Sequence, residues 1–268
     1  SFIYLLKNGK YLIVGQANRD GFLMRIDSLG KVEFLKMYGT DRNDWITSAV
    51  ELDDGNYLVI GVIDNTYWNT SYDIFLAKIS SIDGSVIWSK IFRKMGGQYY
   101  PYITRGVGYD NNVYITFGDL SDTFGSEDIV VMKLDQDGNI IWQKRYGGRG
   151  FDSPTKIVFY PRPTYYYKDY LFVIGNTGNL GGTDWLLLKL NTNDGSLVYA
   201  KTYEGLGIDV LSDIHPTYND GIYLFGTTGY YPSDYMVLNV DDNPNLLSIY
   251  TGIAVEVSKE NYGSKFKY

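Results

Sequence analysis

An internal repeat of about 50 residues constrains the fold of this 268-residue chain more than any other feature. Each copy carries an Asp followed five residues later by a basic residue, with successive Asp anchors 50 to 56 residues apart. These pairs are Asp20/Arg25, Asp73/Lys78, Asp128/Lys133 and Asp184/Lys189, with a degenerate fifth copy at Asp234/Asn239. A second anchor, a Gly that closes an apolar strand upstream, recurs at Gly15, Gly61, Gly118, Gly175 and Gly226. Two independent anchors in the same order indicate an array of supersecondary units.

Each unit has the pattern of four short strands joined by tight turns. In the third copy an apolar run over 129–134 is followed by turn residues Asp135, Asp137 and Gly138, and a strand pattern resumes over 140–146. All-strand units of this length are typical of propeller blades. The sequence therefore predicts an all-β fold, a five-bladed β-propeller of four-stranded antiparallel blades.

The repeat also predicts the domain organisation. We expect one domain over residues 1–252, with blades at approximately 1–39, 45–92, 101–147, 153–204 and 209–252. Aromatic residues at equivalent positions in the last strand of three units are expected to pack between neighbouring blades. These are Trp88, Trp142 and Tyr199. Residues 253–268 fit no blade position, so we expect a tail that is an extra strand or a partner-binding segment.

Composition narrows the classes of function. The net charge of −7 and the pI of about 4.8 leave no basic footprint for nucleic acid. The absence of cysteine excludes disulfides and thiolate chemistry, and a single histidine excludes a multi-histidine metal site. No apolar run approaches the length of a membrane span, so none is predicted.

The repeat resembles a known family. The pattern Gly…Asp-x4-Lys-Leu-Asp-x2-Gly-x3-Trp-x-Lys-x-Tyr-Gly-Gly, read over 118–148, resembles the β-propeller repeats of secreted and cell-surface bacterial and archaeal proteins, of the SBBP-like type. The resemblance covers roughly residues 1–252. It implies a five- to seven-bladed propeller that acts as a scaffold, and it transfers no catalytic residues.

Two sets of acids are candidates for chemistry. The repeated Asp anchors favour a structural role, because a blade needs its hydrogen bonds in every copy and a catalytic site needs its residues once. A second set, Asp44, Asp152 and Asp209, lies six residues after the aromatic that ends the preceding unit. These acids are expected to line one mouth of a central channel, where a pair of carboxylates can hydrolyse glycosides. We favour a structural or channel-lining role for these acids, and glycoside hydrolysis is the alternative.

Asp213 and His215 form a further candidate pair in the fifth unit. Both lie in the first predicted strand of that unit, two residues apart and so on the same strand face. A lone His acts as a general base when a carboxylate orients it, and Asp213 is the nearest candidate. If the protein is an enzyme, the predicted pool is therefore Asp44, Asp152, Asp209, Asp213 and His215.

The connections between second and third strands differ most between units. Variable loops on a rigid scaffold commonly carry binding sites. The aromatic ligand-binding candidates in these loops are Tyr67, Trp68, Phe124, Tyr230 and Tyr231. Aromatic rings beside Asn and Asp stack on sugars or anchor a protein partner, so a lectin is a further hypothesis.

No cofactor is predicted, and calcium is the one ion that the acids suggest. Asp119, Asp122, Glu127 and Asp128 supply hard oxygen ligands, but their spacing differs from that of a calcium-binding loop.

Taken together, these observations favour a non-enzymatic scaffold that binds protein or glycan through its variable loops, with the tail as an assembly contact. We expect an extracellular, cell-surface or virion location, with an archaeal source, and a cytoplasmic location stays open. A glycoside-acting hydrolase or a lectin is the alternative.

Overall fold

The computed structural model describes most of the chain. Described are residues 2–64, 72–92, 105–109, 111–119, 127–148, 150–159, 170–179, 182–204, 207–217, 221–229, 234–241, 246–251 and 255–257. All regular structure in these ranges is β-strand, without a helix. None of these ranges therefore contains a helix long and apolar enough to cross a membrane.

The strands form five sheets in which neighbours in sequence are neighbours in space. The first sheet contains β1 (Phe2–Leu5), β2 (Tyr11–Ala17), β3 (Asp20–Ile26) and β4 (Val32–Tyr38). The second contains β5 (Asp44–Glu51), β6 (Tyr57–Asp64), β7 (Tyr72–Ile79) and β8 (Val86–Phe92). The third contains β9 (Arg105–Tyr109), β10 (Asn112–Asp119), β11 (Asp128–Asp135) and β12 (Ile140–Tyr146).

The last two sheets follow the same order. The fourth contains β13 (Phe151–Phe159), β14 (Tyr170–Asn179), β15 (Gly182–Asn191) and β16 (Leu197–Tyr203). The fifth contains β17 (Val210–Pro216), β18 (Gly221–Thr228), β19 (Asp234–Asp241), β20 (Leu246–Thr251) and β21 (Val255–Val257). An all-β chain of antiparallel four-stranded sheets is thus confirmed. The fifth sheet differs because β21 pairs with β20 and adds a fifth strand.

The chain divides into two compact units. One unit comprises residues 1–123 and 131–143, and the other comprises 124–130 and 144–268. Within the first unit a core of Leu12, Val14, Leu23, Ile46 and other buried residues joins the first two sheets. Within the second unit a core that includes Phe172, Trp185, Leu211 and Leu224 joins the fourth and fifth sheets. The prediction of one domain over 1–252 stays a prediction.

The basic residue of the repeat packs on aromatic rings. Arg25 in β3 lies opposite Phe34 in β4, with its guanidinium carbon 4.8 Å from the ring centre. Lys189 in β15 lies opposite Tyr199, and its Nζ is 5.7 Å from that ring centre and 4.5 Å from that of Tyr170. A cation over the face of an aromatic ring is attracted by the negative charge of that face. This contact explains why a basic residue recurs five positions after the Asp.

The last strand of a sheet contacts the turn before the last strand of the next sheet. A Cβ added to Gly138, in the turn before β12, would lie 2.5 Å from the Trp88 ring. A Cβ added to Gly84, in the turn before β8, would lie 3.1 Å from the Phe34 ring. Both glycines have a positive φ, of 70° and 75°. Glycine at this turn therefore meets two demands, a left-handed backbone and room for an aromatic ring.

Candidate functional site

The acids singled out by the sequence lie where one sheet leads to the next. We define the first junction as the connection from β4 to β5, the third as that from β12 to β13, and the fourth as that from β16 to β17. Each holds a repeat Asp from the earlier sheet and an acid at the start of the later sheet.

At the first junction Asp44 is fully buried and holds the connecting loop. Its Oδ2 accepts hydrogen bonds from the backbone N–H and the hydroxyl of Thr40, and its Oδ1 accepts one from the Asp64 N–H at 3.1 Å. Its own N–H donates to the Arg19 carbonyl. Four polar contacts thus fix one side chain and its backbone, which is the pattern of a structural carboxylate.

Two carboxylates converge over the glycine of this loop. A Cβ on Gly39 would lie 2.6 Å from Asp20 Oδ1 and 2.7 Å from Asp44 Oδ2. Gly39 follows directly the tyrosine that ends β4, and only a residue without a side chain fits beneath both oxygens. The spacing of the repeat Asp and the junction Asp therefore depends on this glycine.

The third junction repeats the arrangement within the second unit. Asp152 Oδ2 accepts a hydrogen bond from the Gly148 N–H at 2.9 Å, and the Asp152 N–H donates to the Glu127 carbonyl. A Cβ on Gly147 would collide with Asp128 and would lie 3.0 Å from Asp152 Oδ2. Arg145 Nη1 lies 3.5 Å from Asp128 Oδ2 and offsets part of the negative charge.

A tyrosine hydroxyl reinforces both junctions in the same way. The Tyr38 hydroxyl donates to the Gly84 carbonyl at 2.6 Å, and the Tyr146 hydroxyl donates to the Gly195 carbonyl. Burial raises the pKa of Tyr38 and of Tyr146 above the ordinary value, so both hydroxyls stay protonated donors.

The fourth junction departs from this pattern at one residue. Asp209 is fully buried, accepts a hydrogen bond from the Gly229 N–H at 3.1 Å and donates its own N–H to the Thr183 carbonyl. The residue after the last tyrosine is Glu204 instead of glycine. Burial, reinforced by the negative charges of Glu204 and Asp209, raises the pKa of Asp184 to about 6.

The predicted acids therefore do not share one site through their observed hydrogen bonds. Each of the three acids accepts hydrogen bonds from a different set of backbone amides. The donors are Thr40 and Asp64 for Asp44, Gly148 for Asp152 and Gly229 for Asp209. Asp184, which the sequence interpretation assigned to the repeat alone, is the acid among the described residues whose pKa is raised. In the sequence, the signal for this perturbed acid is Glu204, which stands where Gly39 and Gly147 follow the last tyrosine of the first and third sheets.

Asp213 and His215 are exposed residues of β17. The Asp213 carboxylate forms an ion pair with Lys156 and accepts a hydrogen bond from the Ile214 N–H at 2.7 Å. His215 lies opposite Tyr223 of β18. The observed partners of Asp213 are thus a lysine and a backbone amide, and the role of His215 as a base stays a prediction.

A cavity of about 630 Å³ lies beside Asp152 in the second unit. Its apolar lining includes Leu186, Leu188 and Ala200, and its polar lining includes Lys144 and Arg145. The sequence interpretation did not find this cavity. One signal was present in the sequence. Directly after the aromatic residue of the last strand, the fourth sheet has Ala200, which is smaller than the residues at the same place in the first three sheets; these are Leu35, Ser89 and Gln143.

The loop candidates and the calcium candidate remain predictions. Tyr67, Trp68, Phe124, Tyr230, Tyr231 and Asp122 lie outside the described residues. Among the residues that are described, no group of three or more His, Asp or Glu side chains is placed to hold a metal ion.

Comparison with known proteins finds similarity in structure alone. No family model matches the chain, and no curated protein sequence matches it. The chain is similar to the crystal structure of a protein of unknown function from Bacteroides caccae, with a TM-score of 0.56 and 14% identity. That match covers 93% of this chain and 80% of the other.

Two enzymes are also similar in structure. A mutant of Synechocystis apocarotenoid oxygenase matches with a TM-score of 0.53 and 10% identity, over 92% of this chain and 59% of that one. The quinohemoprotein alcohol dehydrogenase from Comamonas testosteroni matches with a TM-score of 0.53 and 14% identity, over 87% of this chain and 44% of that one. This chain thus spans less than two thirds of either enzyme. At such identities the likeness concerns the fold alone.

Proposed function

We propose that the chain is a non-enzymatic scaffold, a five-bladed β-propeller that binds a protein or glycan or serves as a structural module. The observation that supports this most is that the buried acids hold the connections between sheets. A carboxylate that is fully buried and bound by two backbone amides and a hydroxyl, as at Asp44, holds a connection and does not reach a substrate. Asp152 is also buried, and its carboxylate accepts a hydrogen bond from the Gly148 N–H, as expected of a repeated scaffold element.

The proposed binding surface consists of the connections between second and third strands. The sheets repeat closely, whereas these connections differ in length and sequence. Function on a repeated scaffold concentrates in such loops. The proposed anchors are Tyr67, Trp68, Phe124, Tyr230 and Tyr231, and the proposed location is the cell exterior or a virion surface.

The cavity beside Asp152 is a second place for a glycan. Its volume falls in the range of small-molecule sites, roughly 300–1,000 Å³. Lys144 and Arg145 offer donors to hydroxyl or carboxylate oxygens, and the leucines offer an apolar floor for the carbon face of a sugar.

A glycan array probed with the full chain tests the proposal. We expect retention of one glycan class, or of a protein from the native surface, that falls at least about tenfold in Trp68→Ala or in Tyr230→Ala/Tyr231→Ala. The matched control is Tyr235→Ala, an exposed tyrosine in β19, which should bind as the native chain does. A second variant, Ala200→Trp, fills the cavity and separates cavity binding from loop binding. Equal binding by all variants would contradict the proposed surfaces.

A glycoside-acting hydrolase is the second candidate, favoured by Asp184. A carboxyl with a raised pKa beside other carboxylates is the electrostatic pattern of a general acid, and Asp184 is only partly buried. We expect hydrolysis of a panel of nitrophenyl glycosides to fall by at least about 100-fold in Asp184→Asn if this candidate is right. Asp128→Asn, at the equivalent repeat position, is the control. Absence of any turnover by the native chain would exclude this panel of substrates.

A further inference from the structure

The outer edges of the five sheets are protected in two different ways. Strands β4, β8, β12 and β16 each end a sheet, and no described strand pairs with their free edges. Free strand edges present unpaired N–H and C=O groups to which a strand of another chain can add. Their exposed apolar residues, such as Val86, Ile87 and Leu197, would favour such addition.

Each of these four edges carries a lysine at the same place. Two residues after the aromatic of the strand stand Lys36, Lys90, Lys144 and Lys201. The strand registers confirm the equivalence of three of them, since Lys36, Lys90 and Lys201 lie opposite Leu23, Leu76 and Leu187. A lysine on an edge strand opposes edge-to-edge pairing, because its charge would be buried by an added strand.

The fifth sheet lacks this lysine and is covered by a strand instead. The equivalent position in β20 is Tyr250, opposite Val237, and β20 contains no charged residue. Its edge is occupied by β21, which pairs antiparallel with Thr251 opposite Val255, Tyr250 opposite Glu256 and Ile249 opposite Val257. The sheet without an edge lysine is thus the sheet whose edge accepts a strand.

We propose that the β20 edge is an assembly site that accepts the C-terminal strand of a second copy of this chain. The occupant is identified by β21 itself, whose sequence fits this edge in a defined register. Only three register pairs hold it there, and the same strand from another copy would make the same pairs. Reciprocal exchange gives a symmetric dimer, and the edge lysines direct the exchange away from the other four sheets.

This inference rests on the structural-module part of the proposed function. An experiment can contradict the strand exchange without contradicting the proposed ligand binding, and the reverse also holds. Exchange is measured without any glycan or protein ligand, and loop variants leave β20 and β21 unchanged.

A charge-complementation experiment on the full chain tests the exchange. One variant carries Tyr250→Lys and Glu256→Lys, and the other carries Tyr250→Glu. Alone, each variant places like charges opposite one another on β20 and β21, which is destabilising for directly opposed residues. In the mixture, each lysine introduced into one chain, at position 250 or 256, lies opposite a glutamate of the other chain. We expect monomers for each variant alone and a one-to-one complex on mixing, at least about tenfold tighter than either self-association.

Light scattering after size exclusion gives the mass, and circular dichroism verifies that each variant is folded. Tyr250→Lys alone, with native Glu256 opposite, is the matched control and should dimerise as the native chain does. A mixture that remains monomeric, or variants that each dimerise alone as well as the mixture does, would overturn the proposal. Should the double variant fail to fold, Tyr250→Glu alone should be monomeric because two carboxylates then oppose one another, and addition of the single variant Glu256→Lys should recover it in a one-to-one complex.

Discussion

The first and the fourth junctions place equivalent acids in different surroundings. At the first, Asp20 and Asp44 converge over Gly39, and backbone amides absorb the charge of Asp44. At the fourth, Asp184 and Asp209 occupy the equivalent positions, but Glu204 stands in place of the glycine. The added carboxylate contributes to the raised pKa of Asp184. Burial, together with the charges of Glu204 and Asp209, therefore gives this junction a carboxyl with a pKa of about 6.

Removal of the buried acid of the first junction should have the largest effect. Asp44→Ala leaves the Thr40 and Asp64 amides without their acceptor in a buried site. We expect the free energy of unfolding to fall by about 3 kcal/mol, measured by urea denaturation at pH 7. The control is Asp213→Ala, an exposed acid with a surface ion pair, for which about 0.5 kcal/mol or less is expected. Equal losses in both variants would contradict a structural role for Asp44.

Importing the glutamate into the first junction should be the next largest perturbation. Gly39→Glu places a Cβ within 2.7 Å of two carboxylate oxygens and adds a third negative charge. We expect a loss of about 2 kcal/mol. Gly39→Ala has the same first atom without the charge, so the difference between the two variants isolates the electrostatic part. If Gly39→Glu is as stable as the native chain, the first junction does not require glycine at this position.

The pH dependence of the fourth junction should be smaller. Because folding raises the pKa of Asp184 from 3.8 to about 6, the native state holds this proton more tightly than the unfolded chain does. Its contribution to stability is present below pH about 4 and is lost as the pH rises through about 6. Asp184→Asn should therefore be more stable than the native chain by about 1 kcal/mol at pH 7.5 and equal to it at pH 4, since water screens a partly buried group. Urea denaturation at the two pH values measures this, and a stabilisation that is the same at both would point to a cause other than titration.

The smallest expected effect comes from restoring glycine at the fourth junction. Glu204→Gly removes one of the charges that raise the pKa of Asp184. We expect that pKa to fall towards its ordinary value, with a change in stability of about 0.5 kcal/mol at pH 7. Titration of the carboxyl carbon by NMR measures the shift. If burial alone raised the pKa of Asp184, Glu204→Gly would leave that pKa unchanged. Glu204 would then not explain the difference between the two junctions.

Much of the local structure was predictable because it depends on short-range chemistry. The β3, β7, β11, β15 and β19 strands all begin at or within two residues of the repeat Asp, and turn glycines such as Gly9 and Gly55 have φ values of 79° and 80°. Strand alternation and turn residues act over a few positions and are visible in the sequence. The boundaries of the fifth sheet were less predictable, because β21 pairs through only three residues.

The candidate site was predictable as a set of residues but not as a geometry. The spacing identified Asp44, Asp152 and Asp209, yet nothing in that spacing reveals that each is buried and accepts hydrogen bonds from backbone amides. Asp184 and Glu204 are twenty positions apart, and their interaction exists only because β15 pairs with β16 up to Tyr203. Likewise, the cavity beside Asp152 combines residues of five strands and two connections.

The sequence by itself determined the strands, the turns and, in the first four units, the repetition of an acid, a base and an aromatic, since these follow from the alternation and the conformational preferences of neighbouring residues. Only the tertiary structure decided which acids are buried, which retain water and which strand covers the edge without a lysine. Burial, the proximity of like charges and edge pairing depend on residues that are distant in sequence, and these residues meet only when the sheets pack.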